Sequence, residues 1–200
     1  MASTQQLKSR IRSVKNTKQI TKAMQMVAAS KMRRAQDATK ASKPYTSSAD
    51  DLLAYLSSQG VTDNHPLFRK RAIKSRLIIV IAADKGLAGA YNSSVLKKYV
   101  ELLKRDDDRG INNLTITVGR KASQFASRLK DTEIIGTYDD LPDKPEGVTF
   151  HTILNTACDM YRNKEVDAVT VVYTNFVTSI TQEASRMRLL PAGTPVDSDP

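Results

Sequence analysis

The sequence predicts an α/β protein in two parts: a long N-terminal helix and a doubly wound, mostly parallel sheet domain. Three observations predict it. The first 59 residues contain no glycine, and small or apolar residues recur through them at steps of three and four, the period of a helix with one seam. The apolar run Leu77 to Ala83 reads as a strand covered on both faces. Beyond it, strand-like and helix-like segments alternate, the pattern of a parallel sheet flanked by helices.

Residues 1–59 form the predicted helix. Its seam runs through Leu7, Ile11, Val14, Thr21, Met24, Ala28, Met32, Ala35, Ala38, Ser42, Tyr45, Ala49, Leu52 and Leu56, with one skip over Lys18. Pro44 interrupts it, so a bend near Ala41–Pro44 or a second helix starting there is expected, with Gly60 beyond the end. The middle of the seam is alanine, methionine and hydroxyl residues. Small residues permit close approach and methionine adapts to irregular surfaces, so such a helix needs partners along its length. A helix of about 50 residues is about 75 Å long. A body of about 120 residues is only about 35 Å across. Much of the helix is therefore expected to overhang the body and to meet another chain or a segment outside these 200 residues.

The same region holds the charge. Between Met1 and Lys43, eleven Lys and Arg stand against one acid, Asp37, which equals the net charge of the whole chain, +10. Residues 44–200 carry 20 basic and 20 acidic side chains. The sequence pI near 9.7 implies an anionic partner: nucleic acid, lipid headgroups or an acidic protein surface. A basic-zipper helix would need leucine heptads after the basic region, but only Leu52, Leu53 and Leu56 follow. Little aromatic interleaving is present for RNA stacking. The favoured reading is a cationic face on a protein-binding helix.

Residues 60–76 read as a linker, and 77–178 as a Rossmann-like domain. The expected order is strand 77–83, helix 91–105 with Asn92 or Ser93 as its cap, strand 113–118, helix 121–129, strand 133–138, helix 150–163 and strand 168–173. Residues 179–200 read as an exit segment, with a loop over 192–200.

Candidate chemistry is sparse. Asp84–Asn92 lies at a strand-to-helix turn, where doubly wound folds bind phosphates, but it matches neither GxGxxG nor the P-loop. It reads as a tight structural turn, with a small nucleotide-binding enzyme as the alternative. His151 and Cys158 share a helix face and read as packing residues, since no third catalytic group is identifiable. Asp106, Asp107 and Asp108 read as a solvated loop at a helix end. No catalytic, cofactor-binding or metal-ligating residues are predicted. Cys158 is the single cysteine, which precludes an intramolecular disulfide and makes a reducing compartment the default. No secretory core segment and no apolar run of about 20 residues is present. The acid-free start shares features with an organellar transit peptide but extends past a cleavable length.

Residues 7–36, LKSRIRSVKNTKQITKAMQMVAASKMRRAQ, closely resemble the N-terminal helix of the F-type ATP synthase gamma subunit. Asp84–Asn92 resembles that family's strand-to-helix turn, with Ala88 where the family usually has cysteine. Val118–Lys121, Tyr173–Phe176, Ile180–Glu183 and Leu189–Pro191 are similar to its later junctions. The resemblance implies a non-catalytic rotor shaft with no cofactor and no nucleic-acid partner. Its N-terminal helix would be half of an antiparallel coiled coil, paired with a longer C-terminal helix inside a ring of alternating alpha and beta subunits, coupling proton flow to ATP synthesis or hydrolysis. The implied partners are the alpha, beta, delta, epsilon and c-ring subunits. Membrane contact would come only through the complex, on the cytoplasmic face of a bacterial inner membrane or its organellar equivalent. The candidate ring contacts are Lys18, Lys22, Met24, Met26, Ala28, Met32, Arg33 and Arg34. Family members continue past Leu189–Pro191 into the second helix, whereas these residues end at Pro200. The companion of the seam is therefore expected outside them, and full torque transmission by these residues alone is not expected.

Overall fold

A computed structural model of the chain describes residues 3–62, 64–130, 132–140, 148–178 and 180–193. It divides into two compact units, Met1–Leu52 and Leu53–Pro200.

Helix α1 spans Thr4–Ser58. A reciprocal pair of hydrogen bonds starts it: the Gln5 amide donates to Ser3 Oγ (3.2 Å), and the Ser3 amide to Gln6 Oε1 (3.3 Å). This is a capping box, which satisfies backbone donors left over at a helix start. Thr17, Thr21, Thr39 and Thr46 return their hydroxyls to carbonyls one turn back, so they add no outward polarity. α1 passes through Pro44 as one element, so no second helix begins there. One broken hydrogen bond ends a helix only where the following turns lack support. Gly60, with φ +70°, follows the C-terminus as expected.

The second unit is built on a five-stranded sheet, order β3-β2-β1-β4-β5. The strands are β1 Ser75–Ile81, β2 Asn112–Val118, β3 Glu133–Tyr138, β4 Ala168–Phe176 and β5 Gln182–Leu190. The first four pair in parallel, and β5 runs antiparallel along β4. Helices α2 (Tyr91–Asp107), α3 (Arg120–Ala126) and α4 (Val148–Arg162) connect them. Alternation along β1 divides the core. Leu77 and Ile79 join Ile153, Ala157 and Tyr161 of α4 on one face. Ile78 and Val80 join Val95, Tyr99 and Leu102 of α2 and Ala122 and Ala126 of α3 on the other. The spacings 153-157-161 and 95-99-102 are single helical stripes, and the apolar run in β1 exists because both its faces are covered.

Five expectations need correction. β1 starts two residues earlier than expected and ends at Ile81. α2 has Ala90 at its N-cap and no side-chain cap; Asn92 instead accepts from the Ala83 amide (3.0 Å). α3 stops at Ala126, three residues short of Leu129. Asp106 is not a solvated loop residue: it is fully buried in the last turn of α2, 2.6 Å from the Arg76 guanidinium. β5 was not expected as a strand. Of the expected loop over 192–200, residues 194–200 lie outside the described residues.

Candidate functional site

The candidate contact residues all lie on α1, which has no buried residue. Met24, Met26 and Met32 are 49%, 61% and 47% exposed, and Leu7, Ile11 and Val14 are similarly open. Large apolar side chains laid bare along one element mark a surface made for a partner.

The eight candidates do not form one surface. Steps of four residues place Met24, Ala28 and Met32 in one stripe and Lys18, Lys22 and Met26 in another. At 3.6 residues per turn, the centres of the two groups lie about 120° apart around the helix, and Lys18 falls in the register of the seam, four residues after Val14 and three before Thr21. Arg33, seven residues after Met26, joins the lysine stripe. Arg34 falls between them, its guanidinium 3.4 Å from Ser30 Oγ. The apolar stripe coincides with the seam; Lys22, Met26 and Arg33 turn away from it, whereas Lys18 lies within it. One side of the helix is thus suited to packing against another helix, the other to a surface that is acidic and irregular.

The strand-to-helix turn after β1 has different chemistry. The Asp84 carboxylate accepts the backbone N–H groups of Arg120 (2.9 Å) and Asp140 (3.0 Å). Partial desolvation pushes its pKa up, but those two donors and the charges of Arg120 and Lys85 bring it below the usual carboxylate range. Arg120 also pairs with Asp140. Gly119 sits at φ +92°, where a Cβ would come 2.1 Å from the Ala82 carbonyl oxygen. Glycine is required there by close approach of β1, β2 and α3. The carboxylate at the β1–α2 turn therefore caps the start of the neighbouring helix α3 and ties it to the end of β3. Cys158 packs partly buried against the core, while His151 on the same helix is exposed, so the two share no site. Among the described residues, no cluster of His, Cys, Asp or Glu could hold a metal ion.

Comparison with known proteins decides the family. A family model described as ATP synthase matches residues 3–199. The ATP synthase gamma chain of Glaesserella parasuis is 35% identical over 199 residues, covering all of this chain and 69% of that one.

The chain belongs to the ATP synthase gamma-chain family.

Another gamma-chain relative, from Cupriavidus pinatubonensis, is 37% identical over 191 residues, 96% of this chain. The chain spans 65% of that relative's length. Among solved structures it is similar to a chain of the central stalk and c-ring of Tetrahymena thermophila mitochondrial ATP synthase. That match has TM-score 0.60 and 29% identity, over 86% of this chain and 72% of the other. A chain of the Euglena gracilis mitochondrial ATP synthase shares the fold, with TM-score 0.57 and 17% identity over 92% of this chain and 55% of that one. Family membership removes the ground for the nucleic-acid reading of the basic helix. Among the described residues, no helix of this gamma-family chain is long and apolar enough to cross a membrane.

Proposed function

We propose that this chain is a central-stalk rotor subunit of an F-type ATP synthase and is itself non-catalytic. The observation that carries the reading is the exposed α1: an apolar seam along one face and a cationic group centred about 120° from it, with no residue of the helix buried. In the proposed assembly, Met24, Ala28 and Met32 pack on a companion helix supplied by another segment or chain. Lys18, Lys22, Met26 and Arg33 face the inner wall of an alpha/beta ring, with Arg34 at the margin.

A turning shaft must meet several similar surfaces without locking onto one. Long-range attraction between charges depends weakly on orientation, whereas a hydrogen bond weakens steeply with angle. Methionine contacts likewise tolerate several packings. A bend at Pro44 belongs to the same proposal, because it would let the helix curve around its companion. The body would sit against the delta, epsilon or c-ring subunits, and the complex would hold the chain at the membrane as a peripheral subunit on the cytoplasmic face or its organellar equivalent.

The test is charge reversal. The triple variant Lys18→Glu, Lys22→Glu, Arg33→Glu, placed in an assembled complex, should weaken coupling of ATP hydrolysis to proton transport while the body stays folded. Unchanged assembly, hydrolysis and coupling would remove the cationic stripe from the mechanism.

A further inference from the structure

Helix α2 turns Val95, Tyr99, Leu102 and Asp106 inward, where all four are buried. The next stripe round the helix is left unfinished. Leu96 and Leu103 of α2 and Phe125 of α3 pack against the core beneath these helices and stay only partly buried. Beside them an open groove of about 680 Å³ follows α2. Leu96, Val100 and Phe125 are its apolar lining, and the exposed side chains of Lys97, Glu101 and Lys104 stand along its lip. From Asn92 at one end of the lining to Lys104 at the other is about 18 Å, or about three helical turns, at 1.5 Å per residue.

The shape suits a helix. Leu96 and Val100 form an i, i+4 ridge, and the depression beside such a ridge receives the matching ridge of a second helix. Phe125 adds an aromatic surface from α3. The charge then selects among helices. Lys97 and Lys104 lie on the lip, and Glu101, the acid among the described lining residues, pairs with Lys98 (3.8 Å). A helix that carries acids beside its apolar stripe complements this lip. The basic part of α1 does not, with eleven cations against one acid between Met1 and Lys43. That argues against the basic arm of a second copy as the occupant. Recognition of an amphipathic helix by a groove rests on this combination of spaced apolar anchors and a charged border.

We propose that the α2–α3 groove docks an acidic amphipathic helix of a partner protein. Its aliphatic side chains, four residues apart, cover Leu96, Val100 and Phe125, and its acids face Lys97 and Lys104. Such docking involves the body alone and is independent of the rotor reading.

The test uses the full chain and three synthetic helical peptides of about four turns. The first carries leucines four residues apart, flanked by glutamates. The second keeps the leucines and replaces the glutamates with lysines. The third keeps the glutamates and replaces the leucines with serines. Binding is read by fluorescence anisotropy at constant ionic strength. The proteins are wild type, a lip variant (Lys97→Glu, Lys104→Glu) and an arm variant (Lys8→Glu, Lys15→Glu). All four substituted residues are exposed, so each variant should keep the wild-type circular dichroism spectrum. The first peptide should bind wild type saturably, one per chain, and the other two at least ~10-fold more weakly. The lip variant should also bind the first peptide at least ~10-fold more weakly, because like charges then face each other. The arm variant should bind it like wild type. Failure of the first peptide to bind overturns the proposal, as does equal binding of all three peptides. So does an equal loss in the arm variant, which would mean that net charge alone attracts the peptide. A dimer of wild type in analytical ultracentrifugation that the lip variant abolishes also overturns it, because the groove would then hold a second copy of this chain.

Discussion

Arg76 and Asp106 face each other 2.6 Å apart at 1% and 0% side-chain exposure, and Arg76 also donates to Thr170 Oγ1 (2.8 Å). Removing one partner leaves the other charge buried, which costs about 3–5 kcal/mol. Asp106→Ala should therefore lower unfolding stability by about that amount in urea titration, far more than Asp107→Ala on the exposed side of the same turn. Asp84 offers a pH test. Its folded pKa is lowered, so its contribution is fully present above the unfolded value and is lost as pH falls through the folded one. Asp84→Asn should destabilise by about 1–3 kcal/mol at neutral pH, the value of hydrogen bonds to a charged group. That difference from wild type should persist down to about pH 4 and close below it. Neither role was legible along the chain. Three consecutive acids at a helix end look solvated, and only the sheet brings Arg76, 30 residues earlier, beneath the first of them. For Asp84 the signal was the turn itself, but its two donors, Arg120 and Asp140, lie 36 and 56 residues away.

At the scale of elements, α1 and the buried strands were readable because each carries a single strong periodicity. The seam repeats at three and four over the whole helix, and β1 is apolar without alternation because α2 and α4 cover opposite faces. β5 was missed because it is an edge strand of partly exposed, charged residues, QEASRMRLL, a composition that suits an edge and masks the strand signal. The end of α3 was overestimated because Leu129 completes an apolar pattern beyond the last helical turn. In α1, Pro44→Ala should increase helicity, since proline in a helix interior costs about 3 kcal/mol relative to alanine. Far-UV circular dichroism on heating should show α1 melting later in the variant. Lacking buried side chains, α1 should exchange its amide hydrogens rapidly in a dilute preparation of this chain, while β1, β2 and β4 remain protected. Strong protection throughout Thr4–Leu52 in a monomer would mean the helix needs no partner.

At the scale of the molecule, charge and packing are divided between two units. The nearly neutral sheet domain holds its own core, and the basic helix displays an apolar and a cationic group about 120° apart around its axis. The division was legible in the sequence as a charge imbalance confined to the first 43 residues. The separation of the two groups depends on angle around the helix and not on residue type, so it is visible only once α1 is known to be one unbroken helix. That angular separation is what gives α1 two partners in the proposed rotor. Co-expression with alpha and beta subunits, followed by native mass measurement, tests this most directly. The account predicts one copy of this chain per alpha/beta hexamer. A hexamer that assembles without it, while the free chain binds DNA with steep salt dependence, would contradict it.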